Sequence, residues 1–227
     1  MANADELWVP SRGEAAQLAR RGRAVLVPNG VPVPAEPRRR KPRAAEILLL
    51  AGFGYPPNRA AAVRLVEEVL PGVIVRVPEA FVTLAGRDLP PALIRRWRHR
   101  PVRYLGPVER VAPLLDRAAV LALPYLPSTN AGTPLKVAEA VATGLPVVAT
   151  RNATEPLGLV AGEHVLNGET GKELAAAICA VLLDPDSAED LAQRAHAWAR
   201  AHLDPHAIAK RLRRDSCLVG AVARPAA

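Results

Sequence analysis

The chain has 227 residues, half of them hydrophobic but only 4% aromatic. That is enough for one substantial globular domain with short appendages and too few for two full α/β domains. Lys and Arg number 30 against 22 Asp and Glu, a formal charge of +8, which favours anionic partners such as nucleotides, nucleic acid or acidic lipid headgroups. No apolar stretch approaches the ~20 residues of a membrane-spanning helix. The amino terminus lacks the basic-then-apolar order of a signal peptide, so the expected location is the cytoplasm. Cys179 and Cys217 form neither a metal spacing nor a disulfide framework, and Cys179 reads as part of a buried helix face.

In chain order, Leu7-Trp-Val-Pro10 reads as a strand end, and Ser11 with Glu14 forms a capping box for a helix that stops at Gly22. Residues 24–27 make a second strand, closed by a turn at Pro28-Asn29-Gly30. Two strands are marginal alone in water and leave edges open to pairing. Residues 1–30 are therefore read as a strand–helix–strand unit that needs something to pack against, a missing partner domain or a second copy, through Leu7–Val27. Residues 31–43 form a Pro- and Arg-rich linker. Its run of Arg38, Arg39, Arg40, Lys41 and Arg43 is a solvated segment or, in the alternative, a patch for lipid or nucleic acid. With few aromatics for stacking and no recognition motif, no specific nucleic-acid partner is expected, and at most peripheral membrane contact.

From residue 44 the pattern changes. Apolar runs at 47–51, 81–85, 102–105, 120–123 and 146–149 are hydrophobic on successive residues, as strands buried on both faces require. The segments between them are long enough for crossover helices. The fold class is therefore α/β: a Rossmann-like parallel sheet with helices on both faces over 44–214, and a helical carboxyl terminus. Helices are predicted at 172–183, 187–202 and 206–214, with 215–227 as a frayed tail. Asp184 and its acidic neighbours mark a helix boundary, and Glu67 and Glu68 an exposed helix face. His202 and His206 have helical spacing, but Pro205 interrupts it and no third ligand is near, so no metal site is expected.

The segment from Thr129 to Gly144 carries the chemistry. It follows the strand at 120–123, at the carboxyl edge where open α/β sheets bind ligands. Thr133 suits an N-cap, Pro134 the first helical position, and Gly132 a close approach of backbone to ligand. Lys136 in the first turn opposes the helix dipole unless an anion sits there, when both attract it. Glu139 shares its face, and the alternative reading of the two is a simple ion pair. The earlier loop, Gly52-Phe53-Gly54, leads through Pro57 into a helix whose first turn holds Arg59, a second cation suited to a diphosphate.

Several segments, in this order, resemble the carboxyl-terminal half of GT-B enzymes of glycosyltransferase family 4. They are Val27-Pro-Asn-Gly-Val31, Tyr55-Pro-Pro-Asn58, Val102-Arg-Tyr-Leu-Gly-Pro-Val108, and Pro134-Leu-Lys-Val-Ala-Glu139 followed by Gly144-Leu-Pro-Val-Val-Ala-Thr150. The resemblance implies a nucleoside-diphosphate sugar as donor and transfer of a hexose-like sugar with retained configuration, without metal or other cofactor. It places Glu139 on the ribose hydroxyls and the backbone around Thr133 and Leu135 on the diphosphate. The strand and loop ending at Val108 lie by the base, and Arg59 stands where the family has a phosphate-binding Lys. Phe53 replaces the family's usual Arg, and Ala131 its usual sugar-binding Glu, leaving Asn130 or Thr129 as substitutes. It further implies that residues 1–30 are the remnant of an acceptor-binding amino-terminal domain that is otherwise missing and would be supplied by a partner, that the chain alone turns over little, and that no catalytic residue is assigned in it. Two other readings are a non-catalytic nucleotide-binding module and a nicotinamide-cofactor domain using Gly52, Gly54 and Asp88. The second lacks the close-packing third glycine, since Pro57 stands in its place.

Overall fold

A computed structural model of the chain describes residues 6–18, 23–38, 45–129 and 132–216. Strand β1 (Glu6–Val9), helix α1 (Arg12–Leu18) and strand β2 (Arg23–Leu26) form a separate parallel two-stranded sheet. Ser11 caps α1 as expected: its Oγ accepts from the Glu14 N–H at 3.2 Å and donates to Glu14 Oε2 at 2.8 Å. Two hydrogen bonds tie this unit to the end of the last described helix. Ser216 Oγ donates to Glu6 Oε1 (2.5 Å), and Arg23 Nη2 donates to the Asp215 carbonyl (2.6 Å).

The main sheet follows with β3 (Glu46–Leu50), α2 (Pro56–Arg64), α3 (Leu70–Ile74), β4 (Phe81–Ala85), α4 (Pro91–Arg96), β5 (Val102–Tyr104), α5 (Ala112–Arg117) and β6 (Val120–Leu123). It continues with α6 (Leu135–Thr143), β7 (Val147–Ala149), α7 (Arg151–Thr154), β8 (Leu166–Asn167), α8 (Gly171–Leu183), α9 (Pro185–His202) and α10 (Pro205–Asp215). All six strands are parallel, in the order β5-β4-β3-β6-β7-β8. The Rossmann-like sheet with helices on both faces and a helical carboxyl terminus is thus as the apolar runs predicted. Ile47, Leu48, Leu49, Leu121, Leu123, Val147 and Val148 are all fully buried, because a parallel strand sandwiched between helices has no solvent face. Strand order reverses between β3 and β6, which opens the crevice where ligands of such sheets bind.

Three local features depart from expectation. Strand β8, only two residues long, has no run from which to be read. Between α2 and α3 the helix widens into a π-helical stretch, Leu65–Val69. Pro71, just beyond it, has no N–H to give and its ring would meet the carbonyl of Glu67, so the α-helical ladder cannot run through. Glu67 is not on an exposed face: it accepts from Arg96 Nη2 at 2.7 Å and Trp97 Nε1 at 2.9 Å and so ties this helix to α4. Asp184 does cap α9, accepting from the Ser187 N–H at 3.1 Å. Cys179 is buried, as read; Cys217 lies outside the described residues.

Helix α8 opens with a full capping box, in which Thr170 Oγ1 accepts from the Glu173 N–H and Glu173 Oε2 accepts from the Thr170 N–H. Thr170→Ala removes one half of that exchange, and a thermal melt should register a fall in Tm of about 2–4 °C. Among the described residues no helix is long and apolar enough to cross a membrane.

Candidate functional site

The crevice is built from the turns that leave β3, β4, β5 and β6. Backbone bonds lace the first three turns together: Phe53 N–H to the Arg87 carbonyl and Gly86 N–H to the Gly106 carbonyl, each 2.8 Å. Gly86 has φ +136°, and a Cβ there would lie 1.7 Å from the Ala51 carbonyl oxygen, so only glycine lets these two turns pass so closely. Phe53 is fully buried and meets the Tyr104 ring edge-on at 6.3 Å. Where the family resemblance expects an Arg, this chain has a side chain that props the loop from beneath. Gly52 and Gly54 are exposed on that loop. Asp88 packs against Gly54, with Oδ2 3.3 Å from where a Cβ would stand.

On the other side of the switch point, the chain leaves β6 through Pro124 and Tyr125 and enters α6. The helix begins at Leu135, with Pro134 as its cap residue and no side-chain cap. Thr133 is therefore not the N-cap, nor Pro134 the first helical residue. Pro134 is extended (φ −71°, ψ 101°), which shifts the start by one position and leaves the first N–H groups of α6 without side-chain partners. Gly132, just before, has φ +57° and open space around its missing Cβ. The body of α6 is buried at Val137, Ala138, Ala140, Val141, Ala142 and Thr143, and His196 of α9 packs behind it with Nδ1 2.9 Å from the Ala142 carbonyl.

Lys136 does not form the ion pair with Glu139 that the alternative reading offered. Its Nζ donates to Asn58 Oδ1 at 2.9 Å and Tyr125 OH at 3.2 Å, and lies 5.6 Å from the Tyr125 ring centroid. Burial pulls its pKa down to about 8, a shift that the nearby Glu139 charge only partly opposes. The Glu139 carboxylate makes no hydrogen bond or salt bridge among the described residues, and burial raises its pKa more than Lys136 lowers it. Arg59 stands in the first turn of α2, half-buried and likewise unpaired among the described residues.

Val108 lies in the loop after β5, on the far side of the crevice from Lys136, and Leu135 is 46% exposed at the start of α6. Asn130, with the neighbouring Ala131, lies outside the described residues, as do 39–43 of the basic run. Arg38 is exposed and pairs with Asp116 at 3.5 Å. Thr129 sits in a loop pinned by Asn152, whose Nδ2 donates to the carbonyls of Leu126 (2.9 Å) and Thr129 (3.0 Å). This loop and α1 enclose a cleft of about 620 Å³ lined by Ser11, Glu14, Thr129, Gly132, Asn152 and Glu155. His202 stacks on Trp198 at 4.7 Å, and no group of three metal-ligating side chains occurs among the described residues.

Sequence reasoning missed Tyr125, Asn152 and Arg64. Arg64 is 5% exposed; its guanidinium donates to the Tyr125 carbonyl at 2.7 Å and to the Glu169 carbonyl, joining the turn after β6 to the start of α8. Nothing in their neighbourhoods marks these residues, because each acts on a segment far away in sequence.

Comparison with known proteins gives one family match and many structural ones. The family described as glycosyl transferases group 1 matches residues 44–196. No curated protein sequence gives a significant match. Among solved structures, Anabaena HepE in complex with UDP and glucose is similar with a TM-score of 0.67 at 16% identity, over 93% of this chain and 62% of that one. Sucrose-phosphate synthase from Thermosynechococcus elongatus gives 0.71 at 22% identity, over 97% and 60%. The pneumococcal O-GlcNAc transferase GtfA in complex with UDP and GlcNAc gives 0.71 at 14% identity, over 93% and 45%. The chain thus spans less than two thirds of the length of each of these three structures.

Proposed function

Because the chain belongs to the glycosyl transferases group 1 family, we propose that it is a donor-binding module that holds a nucleoside-diphosphate sugar at the carboxyl edge of its large sheet. The observation that carries this reading is Lys136. A largely buried ammonium in the first turn of a helix is disfavoured both by desolvation and by the helix dipole. Its partners here are two neutral oxygens, which offset only part of these costs and leave the charge unneutralised. A diphosphate relieves both, since the ammonium and the open N–H groups of α6 then face one anion.

In this reading Arg59 approaches the same diphosphate from α2, and Glu139, one turn into α6 and unpaired among the described residues, accepts from the ribose hydroxyls. The turns at Gly86 and Val108 border the base. When the glycosidic bond of the donor breaks, the electron pair stays on the diphosphate oxygen, and Lys136, Arg59 and the α6 end stabilise that charge. We propose transfer without a metal and with retained configuration; what supports this is the resemblance to family 4 enzymes. We place the module in the cytoplasm, as part of an enzyme of glycan or polysaccharide synthesis. Among the described residues the sheet of β1 and β2 has only two strands, and its pairing with an acceptor-binding domain or a second copy would complete the enzyme. Alone, the chain is expected to turn over little.

Calorimetric titration with UDP, GDP, ADP and NAD tests the reading. UDP comes first because it occupies two of the similar structures. One nucleoside diphosphate should bind and NAD should not. Glu139→Ala should weaken that binding about tenfold, the worth of one hydrogen bond to a charged group. A folded chain that binds none of the four would overturn the proposal.

A further inference from the structure

The side chains around Lys136 admit only one arrangement of protons. An ammonium has donors only, so both of its partners must accept. Tyr125 OH therefore directs its single proton elsewhere, to Asn58 Oδ1 at 2.8 Å. Asn58 must then turn its oxygen towards both neighbours, which leaves its amide nitrogen to donate to the Gly52 carbonyl at 2.9 Å. A continuous chain of hydrogen bonds thus runs from the turn after β3, across the switch point, to the first turn of α6. Tyr125 is 4% and Asn58 8% exposed, so packing holds its two middle members.

The choice of neutral partners is the informative part. A carboxylate at either position would cancel the charge of Lys136. Asn58 and Tyr125 orient that charge without neutralising it, and they use two of its three protons. We propose that Asn58 and Tyr125 are positioning residues that hold Lys136 ready for a diphosphate and lock the Gly52 turn to the end of α6, so that the two loops grip the ligand as one unit. This rests on the donor-binding reading above.

The titrating groups agree with that geometry. Tyr125, pushed up to about 12 by burial and by Tyr55, keeps its proton and hence its direction across the working pH range. Lys136, at about 8, faces Glu139 on its own helix as its only resolved charged influence, with Tyr125 and the uncharged Asn58 opposite. A bound diphosphate favours the protonated ammonium. Affinity should therefore fall as pH rises through 8, approaching tenfold per unit above it.

The test titrates inorganic pyrophosphate, UDP, GDP and ADP into the full chain between pH 6.5 and 9.5, for wild type, Tyr125→Phe and Asn58→Asp, with melts to verify folding. Wild type should lose more than tenfold in affinity from pH 7.5 to 9.5. Tyr125→Phe removes one acceptor from the ammonium. It should bind about fivefold more weakly at pH 7, with the midpoint of the fall moved to lower pH. Asn58→Asp is nearly isosteric and carries the test if Tyr125→Phe loses its fold. Its carboxylate should move the midpoint to higher pH and weaken binding more than tenfold by competing with the ligand. A purely structural role would lower Tm and leave the midpoint in place. If wild type binds one of these ligands and both variants match it in affinity and midpoint, the positioning proposal falls and the donor-binding reading stands. If wild type binds none, both fall.

Discussion

Lys136→Met is expected to weaken nucleoside-diphosphate binding by about 10- to 100-fold and yet raise the Tm of the free chain. The loss follows from removing charge-assisted hydrogen bonds to the diphosphate, worth about 1.5–3 kcal/mol together with the attraction they carry. The gain follows from the condition of Lys136 in the unliganded fold. Its pKa drops from the ordinary 10.5 to about 8 because it is desolvated. At about 1.4 kcal/mol per unit, the protonated form costs roughly 3 kcal/mol at neutral pH. Methionine retains the apolar stem and carries no charge, and Asn58 Oδ1 keeps its bond from Tyr125 OH. A net stabilisation of about 1–3 kcal/mol results, several degrees in a chain of this size.

The pH dependence distinguishes this cause from better packing. Between pH 8 and 10.5 the unfolded state binds more protons at this lysine than the folded state does, so wild type gains stability as pH rises through that window. Tyr125 acts in the opposite sense. Its folded pKa of about 12 lies above the unfolded value of 10, so it costs stability as pH climbs from 10 to 12. The difference in Tm between Lys136→Met and wild type should therefore shrink between pH 8 and 10. A variant that melts below wild type at pH 7, or a difference that does not change with pH, would show that the lysine is held for structure.

The second large effect is expected at Arg64. Arg64→Met should lower stability by about 2–4 kcal/mol and Tm by roughly 5–12 °C, because the buried carbonyl of Tyr125 and the part-buried one of Glu169 lose their donor. The ion pair with Glu68 contributes little, since that carboxylate is 57% exposed at 3.5 Å. Arg64→Lys should recover only part of the loss, an ammonium being unable to span both carbonyls as the guanidinium fork does. A Tm within about 2 °C of wild type for Arg64→Met would mean that the two loops are held by other contacts.

Strand positions were legible to within a residue or two, as with Phe81–Ala85 and Val120–Leu123, because burial on both faces imposes an unbroken apolar run. The cation in the first turn of α6 was legible for a similarly local reason: Gly132, Pro134 and Lys136 mark a helix end by their own backbone preferences and charge. The exact start of that helix was not. Thr133 looks like a cap, but the extended conformation of Pro134 decides the register, and that depends on how the loop from β6 is packed.

The amino-acid sequence by itself determined the parallel sheet, its helical layers, the family and the presence of a cation in the first turn of the helix after β6, since each is written within a single segment or in the order of segments. Only the tertiary structure decided that Lys136 turns to Asn58 and Tyr125 instead of Glu139, and that Arg64 supports the loop beneath them. The Lys136–Asn58 and Arg64–Tyr125 contacts join residues 78 and 61 positions apart. Hydrogen bonds between such distant groups leave no periodicity in the chain, and they exist only after the βα units have wound the turns of β3 and β6 to the same edge of the sheet.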